Sequence, residues 1–271
     1  MGTPKEALEW HGSTLLRRTA GILIRVTEGP IVVVRATGQD LPALPTRVEV
    51  IDDPREGLGP LQGLAAGLAA VADRADCAFV CSTDMPFLHP AFVRRVLRAV
   101  HGEDRADRAR ADVGLPIARG FPQPLAAAYR TSLAPVAERL VTERRLRPAF
   151  LFDECVVARL GAAALRSDPV LAALDPDLES VLNINEPADY ARARARPAPE
   201  IAIRRFGALA DGHHWPELVR AATVARAAEA AAVILDGRVV AALNGDQVTR
   251  DGQMPLATGD TVFFIAADAG G

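Results

Sequence analysis

The sequence predicts an α/β protein with a mostly parallel sheet, followed by a small α+β domain that is rich in strands. Short apolar runs, such as Ile31–Arg35 and Cys77–Cys81, alternate with longer stretches of helical periodicity, such as residues 61–73. Continuous apolar strands of this kind are typical of parallel sheets that helices cover on both faces. The rhythm changes after Tyr190, where short strands and turns follow one another closely.

The change in rhythm places the domain boundary. We assign residues 1–190 to the larger domain, residues 191–200 to a linker and residues 201–271 to the small domain. The linker combines prolines with alternating arginines and has no apolar pattern. In the small domain, residues 201–206, 232–235, 239–243 and 261–265 are predicted strands and residues 215–230 a predicted helix. About 70 residues suffice for a unit that folds alone.

The overall composition argues against several classes of protein. The chain has 271 residues with 31 basic and 34 acidic side chains, a net charge of -3 that gives non-specific nucleic-acid binding no support. No apolar run approaches the ~20 residues of a transmembrane helix, and the first residues lack the apolar stretch of a signal peptide. The three cysteines fit neither a disulfide framework nor a zinc site. We therefore expect reduced thiols in a cytoplasmic protein.

Asp84 is the sharpest candidate for a catalytic residue, because it follows a buried strand in the segment FVCSTDMPFL. In open α/β sheets, ligands bind beyond the carboxyl ends of the strands. A carboxylate there can hold Mg²⁺ against substrate phosphates, since Mg²⁺ uses one or two carboxylates together with phosphate oxygens. The alternative is that Asp84 only caps a turn.

A second candidate site is the loop IDDPREGLGPLQG at residues 51–63. A strand ends in acids that include Asp53, and Gly59 leads into a helix that begins at Pro60 and Leu61. Glycines let a ligand approach the backbone, and the free N–H groups of a helix start can bind an anion. An ordinary β–α loop would have the same appearance.

Three further features are polar residues in suggestive places. Lys5 follows a glycine turn and can neutralise phosphate charge, although a solvated surface lysine is the common case. Asn183 and Asn185 alternate with apolar residues, so they share one face of a predicted short strand and either bind a ligand or cap the next helix. Gln123 and Pro124 form a rigid turn that can carry a substrate loop.

Taken in order, the motifs MGTPK, GPLQGL, STDMPFL, QPLAAAYR and NINEP resemble the molybdenum cofactor guanylyltransferases of the MobA type. The resemblance covers residues 1 to about 190. That family consists of Rossmann-like nucleotidyltransferases that transfer GMP from GTP to molybdopterin and release pyrophosphate. The resemblance therefore implies GTP and molybdopterin as substrates and Mg²⁺ as cofactor.

The resemblance also implies roles for individual residues. Asp84 would bind the metal, and Lys5 would contact the triphosphate. The residues implied at the nucleotide are Gly2, Lys5, Asp53, Gly59, Pro60, Leu61 and Asp84. Those implied at molybdopterin are Gln123, Pro124, Asn183 and Asn185. Catalysis would rest on positioning and charge neutralisation, since no acid–base pair or covalent nucleophile is evident.

Departures from the family pattern leave alternatives open. The family's first strand and its LAGGxSxR loop are absent, so we expect Met1 to be an internal methionine with about twenty residues, one strand and one loop, before it. Arg35 stands where relatives often have an amide, which leaves base recognition open. Because cytidylyl relatives share the scaffold, the alternatives are a transferase that uses CTP or another nucleotidyltransferase. A third possibility is an inactive transferase half in a protein that acts only as a carrier or docking module.

The small domain carries AALNG and PLATGDTVFFI and ends in Gly270 and Gly271. From about residue 200 to 271 it resembles the MoaD/ThiS sulfur carriers, which have a ubiquitin-like β-grasp fold. In that family the final glycine carboxylate is adenylated and converted to a thiocarboxylate that supplies sulfur to molybdopterin. The resemblance implies that Gly271 is the reactive residue and that a MoeB-like activating enzyme and a MoaE-like synthase subunit are partners. A tail without side chains can enter a partner's active site.

Overall fold

The computed structural model describes residues 4–55, 57–101, 110–210 and 216–266. Its strands are β1 (Glu9–Trp10), β2 (Ser13–Thr14), β3 (Ile31–Arg35), β4 (Val48–Asp52), β5 (Cys77–Cys81), β6 (Val113–Ala118), β7 (Phe121–Pro122), β8 (Ala126–Arg130), β9 (Val157–Gly161), β10 (Glu200–Phe206), β11 (Glu217–Arg220), β12 (Val239–Leu243), β13 (Gln247–Thr249) and β14 (Thr261–Ala266). Its helices are α1 (Leu15–Ile24), α2 (Pro60–Val71), α3 (Pro90–His101), α4 (Ala134–Thr142), α5 (Pro148–Phe152), α6 (Ala162–Arg166), α7 (Pro169–Leu174), α8 (Pro187–Ala195) and α9 (Val224–Ala230).

Helical periodicity predicts helices at residues 13–27, 61–73 and 90–100, and these are present as α1, α2 and α3. The Thr14 side chain accepts a hydrogen bond from the backbone N–H of Arg17 and so caps α1. Pro60 opens α2 and Pro90 opens α3, where proline costs no helical hydrogen bond. Local sequence therefore sets the starts of these helices.

The prediction of a mostly parallel sheet in the larger domain is wrong, because its sheets are mixed. β3 and β4 form a parallel pair by themselves. β5 belongs to a second sheet with β8, β6, β7 and β9, in which only β6 and β9 pair in parallel. Between β6 and β7 the chain reverses at Arg119 and Gly120, both with positive φ. A turn this tight can join only antiparallel strands, and the apolar pattern did not reveal it.

A groove of about 630 Å³ separates β3 from β5, with α1 and α2 contributing to its walls. Backbone groups of successive strand residues point to opposite sides of the strand. Arg35 O accepts a hydrogen bond from Asp53 N, so alternate residues of β3 bond towards β4. Ser82 N donates to Leu125 O, which fixes the corresponding alternation along β5. The backbone groups that face the groove are therefore those of Val32, Val34, Cys77, Phe79 and Cys81.

The C-terminal unit, residues 200–210 and 216–266, is a five-stranded mixed sheet in the order β11-β10-β14-β12-β13. The central strands β10 and β14 run parallel, and the other neighbours are antiparallel. The strands predicted at 201–206, 239–243 and 261–265 are present.

Two predictions within this unit are wrong. Residues 232–235 are not a strand, because Ala232 takes a positive φ and Ile234 is 80% exposed. The helix predicted for 215–230 is shortened, since Thr223 caps α9 by accepting from Arg226 N and β11 precedes it. The polar cap at Thr223 decides where this helix begins.

Helix α1 joins the C-terminal unit to the rest of the chain. Arg25 forms a buried ion pair with Asp260, and its guanidinium also donates to Pro255 O. A Cβ on Gly21 would lie 2.4 Å from Pro255 Cδ, so only glycine permits this close approach. Ile24 and Ile31 enter the same apolar cluster as residues of β10, β12 and β14. The two parts are therefore packed through one shared core.

Candidate active site

Asp84 lies just beyond the carboxyl end of β5, as the sequence predicts. Its Oδ2 accepts a hydrogen bond from Lys5 Nζ at 3.3 Å, across 79 residues of sequence. Asp84 is 9% exposed, and its Oδ1 is buried without a hydrogen-bond partner among the described residues. A buried carboxylate oxygen without a partner is costly unless a cation or donor binds there. The pair thus brings a cationic side chain and a free carboxylate oxygen to one position.

The segment that holds Asn183 and Asn185 is attached to Asp84 by its backbone. Ile184 N donates to Asp84 O at 2.9 Å, while both asparagine side chains are exposed. Residues 182–185 are irregular and do not form the predicted strand. The backbone N–H of Ile184 bonds to the loop at Asp84 and not to a neighbouring strand. The asparagines therefore lie close to Asp84 in the fold.

Asp189 is a second acid near Lys5 that the sequence analysis missed. Hydrogen bonds from the backbone N–H groups of Glu186 and Asn185 hold the pKa of Asp189 below its ordinary value, and the charges of Arg192 and Lys5 act in the same direction. Asp189 completes a capping box at the start of α8. The E-x-x-D spacing from Glu186 could have indicated that cap, but not its nearness to Lys5.

The site residues predicted in the glycine-rich loop, Asp53, Gly59 and Leu61, have different structural roles. Gly59 precedes α2 with φ of 78°, a conformation that favours glycine. Asp53 accepts a hydrogen bond from Arg55 N at 3.0 Å and so stabilises its own turn. Leu61 is fully buried in an apolar cluster, so its place at the nucleotide, which the resemblance implies, stays a prediction that concerns its backbone. Only its backbone is available to a ligand.

Gln123 and Pro124 lie beside the segment that carries Asp84. Ser82 N donates to Leu125 O, which joins the two loops. Gln123 Nε2 donates to Ala118 O and Phe121 O, both at 3.3 Å, and Pro124 O accepts from the Tyr129 hydroxyl at 2.7 Å. These bonds give the turn the rigidity that its prolines predict.

The groove between β3 and β5 is lined by residues from three of the motifs. Pro60 of GPLQGL, Thr83 of STDMPFL and Leu125 of QPLAAAYR all line it. These residues follow or begin elements at the carboxyl end of the strands, where ligands of α/β sheets bind. The groove is lined mainly by apolar residues, and its lining includes Thr83, the residue next to Asp84.

Two predicted residues, Gly2 and Gly271, lie outside the described residues. Within the described ranges, no group of three or more His, Cys, Asp or Glu side chains could by itself enclose a metal ion. The cysteines are free thiols, as expected. Burial and the charge of Asp84 raise the pKa of Cys81 to about 12, which leaves it protonated and unreactive at neutral pH. In the part of the chain that the structure describes, no helix is both long and apolar enough to cross a membrane.

The family comparison and the named relatives identify a chain with this fold as a nucleotidyltransferase. The model of the MobA-like NTP transferase domain matches residues 1–163, and the chain belongs to that family. This confirms the enzyme class predicted from the motifs of the larger domain.

Individual relatives agree with the family assignment. The chain is 37% identical over 169 residues to a protein of Mycobacterium tuberculosis named probable molybdenum cofactor guanylyltransferase. The aligned region covers 61% of this chain and 79% of the relative. It is 31% identical over 196 residues to a protein of the same name from Methanosarcina acetivorans, covering 68% and 80%. The fold is similar to that of molybdopterin-guanine dinucleotide biosynthesis protein A from Archaeoglobus fulgidus, with a TM-score of 0.53, 24% identity and coverage of 71% and 90%.

Proposed function

We propose that the larger part of this chain transfers GMP from GTP to molybdopterin, in a reaction that releases pyrophosphate. The observation that carries the proposal is the Lys5–Asp84 pair, whose Asp84 Oδ1 has no protein partner in the described residues. The relatives that are named guanylyltransferases align with this chain over most of their own length, and they support GTP as the nucleotide.

The residues fit a divalent cation at Asp84. Mg²⁺ requires only one or two carboxylates from the protein when phosphate oxygens complete its shell. Asp84 Oδ1 would hold it, and the bound ion would supply positive charge to the reacting phosphates. Lys5 would release Asp84 Oδ2 and donate to the triphosphate. The backbone beside Gly59, where α2 begins, would bind phosphate oxygens through free N–H groups.

Chemistry of this type needs little more than alignment and charge. A terminal phosphate oxygen of molybdopterin attacks the α-phosphorus of GTP, the bond to the β-phosphate oxygen breaks, and pyrophosphate leaves. Asn183 and Asn185 are exposed next to Asp84 and would orient molybdopterin, as would the turn at Gln123 and Pro124. The contribution of these residues is positioning.

The test is pyrophosphate release with molybdopterin, Mg²⁺ and either GTP or CTP. We expect turnover with GTP, and loss of at least about a hundredfold in kcat for Asp84→Asn, because a metal ligand contributes several kcal/mol to charge stabilisation. Asp153→Asn, at an exposed acid away from the loops, is the matched control. Turnover with CTP alone would favour the cytidylyl alternative. Retained activity in Asp84→Asn would remove Asp84 from the site, and failure of the folded chain to bind nucleotide and Mg²⁺ would favour a docking role.

We further propose that the C-terminal unit is a β-grasp sulfur carrier of the MoaD/ThiS type. The strand order β11-β10-β14-β12-β13, with a parallel central pair and α9 between β11 and β12, supports it. Asp260, just before β14, lies against α1, and β14 then runs about 20 Å to Ala266 at about 3.3 Å per residue. The end of β14 at Ala266 therefore lies one strand length from the point where Asp260 contacts α1.

The carrier function predicts that Gly271 is adenylated by a MoeB-like activating enzyme and later delivers sulfur to a MoaE-like synthase subunit. ATP–pyrophosphate exchange catalysed by the activating enzyme should depend on the full chain and disappear when Gly271 is deleted. Deletion of the residue leaves α1 and the buried Arg25–Asp260 pair intact, so thermal unfolding provides the control for folding. Equal exchange with both chains would refute the carrier function.

A further inference from the structure

The loop that carries Asp84 is held in place by bonds at three successive points. Asp84 O accepts from Ile184 N at 2.9 Å, Pro86 O accepts from Arg18 Nε at 2.7 Å, and His89 N donates to Ser180 Oγ at 3.1 Å. Two of these partners belong to the segment just before α8. The third partner, Arg18, belongs to α1 and bonds to two different parts of the chain.

The Arg18 guanidinium bonds to the Asp84 loop and to the C-terminal unit at the same time. Besides Pro86 O, it donates to Leu256 O from both terminal nitrogens, at 3.1 and 3.2 Å, and approaches Ala222 O at 3.4 Å. Arg18 is 3% exposed and lies over the Trp10 ring, 4.4 Å from its centroid. A planar group with several fixed donors can span these carbonyls, whereas a lysine ammonium cannot.

The other side of Leu256 is fixed to α1 by a separate set of bonds. Arg25 pairs with Asp260, and Asp260 Oδ2 also accepts from Ala257 N at 2.7 Å. His89, at the end of the Asp84 loop, has its Nε2 within 3.0 Å of Thr258 O. The stretch from Leu256 to Asp260 is thus anchored both to α1 and to the far end of that loop.

We propose that Arg18 is a positioning residue that couples docking of the C-terminal unit to the placement of Asp84. The C-terminal unit is then a structural part of the transferase site as well as a separate module. This inference rests on the proposed function in so far as Asp84 serves the transfer reaction. The charge of Arg18 persists under assay conditions, because burial, with the nearby charge of Arg25, lowers its pKa only to about 9.

The experiment compares Arg18→Lys with Arg17→Gln in the full chain. Arg17 also joins α1 to the C-terminal unit, through Asp251 at 2.9 Å, and donates to Ala43 O, but within the described residues it has no bond to the Asp84 loop. It is therefore a control for loss of an interface contact that does not reach the loop. Hydrogen exchange of the amides of Met85, Phe87 and Leu88 is measured without substrates, together with kcat, the KM for GTP and the Mg²⁺ concentration for half-maximal rate.

We expect Arg18→Lys to speed exchange in the Asp84 loop at least tenfold, lower kcat about tenfold and raise the Mg²⁺ requirement, with little change in the KM for GTP. Unchanged loop exchange in a folded Arg18→Lys chain, or an equal effect of Arg17→Gln, would overturn the coupling. If the wild-type chain shows no turnover, the proposed function fails, but the exchange data still decide the coupling.

Discussion

Asp260→Ala should destabilise the folded protein by about 3–5 kcal/mol, because it leaves a buried guanidinium without its counter-charge. The Arg25 and Asp260 side chains are only 2% and 7% exposed, with Arg25–Asp260 nitrogen–oxygen distances of 2.6 and 2.8 Å. Asp260 also accepts from Asn244 Nδ2 and Ala257 N, and these bonds would be lost as well. Replacing both charges, as Arg25→Met with Asp260→Leu, should recover most of the loss, since apolar replacement of a whole buried pair is often neutral.

The same pair gives stability a defined pH dependence. Burial opposes ionisation of Asp260, but the charge of Arg25 and the hydrogen bonds outweigh it and hold the pKa of this carboxyl below its ordinary value. A carboxyl whose pKa is lower in the folded state stabilises the fold above its unfolded pKa, and this contribution is lost as pH falls through the folded pKa. The wild-type protein should therefore lose stability below about pH 4, and Asp260→Asn should have a flatter acid profile.

Urea unfolding followed by tryptophan fluorescence measures this prediction. Trp10 is 2% exposed and close to α1, and a Trp215→Phe background isolates its signal. Glu229→Gln breaks the exposed Arg226–Glu229 pair on α9 and serves as the control, for which no measurable change is expected. If the Asp260→Ala midpoint equals that of the control, the pair does not contribute as a buried ion pair and the reasoning is wrong.

Two other predictions concern individual polar groups. The backbone amides of β3 and β5 that face the groove should exchange their hydrogens faster than the amides of the same strands that bond to β4 and β8. Uniformly slow exchange in native-state hydrogen–deuterium measurements would contradict the assigned backbone directions. Gln62 of α2 is fully buried, and both of its amide atoms lack a partner among the described residues. Gln62→Met should therefore stabilise the protein by about 1–2 kcal/mol, and a lower urea midpoint would show that Gln62 has a partner in solution.

The sequence predicts well what local chemistry decides. Proline at the starts of α2 and α3 and the apolar run of β5 place these elements correctly. Asp84 is found from its position after a buried strand, because strand ends are where α/β folds bind ligands. Sequence reasoning alone, however, could not pair Lys5 with Asp84, since that contact depends on tertiary packing across 79 residues.

The features that the sequence did not predict depend on which strands are neighbours in the sheet and in which direction they run. An apolar run such as β8 reads the same in a parallel or an antiparallel neighbourhood, and the turn at Arg119 and Gly120 settles the direction. Arg18 and Arg25 carried no signal either, because charged residues on a helix are usually solvated. Their burial becomes visible only when the C-terminal unit is packed on α1.

That packing has a thermodynamic consequence for any ligand of the transferase site. If docking of the C-terminal unit alters the affinity of the Asp84 loop for metal and nucleotide, then metal and nucleotide must alter docking by the same factor. Arg18 is where the two equilibria meet, since one guanidinium bonds Pro86 O on one side and Leu256 O on the other. Mg²⁺ with GTP should therefore slow exchange of the Leu256 amide, whose partner Ala222 O is remote from Asp84 in sequence. In Arg18→Lys this protection should shrink while nucleotide still binds, which distinguishes coupling through Arg18 from general stabilisation by a ligand.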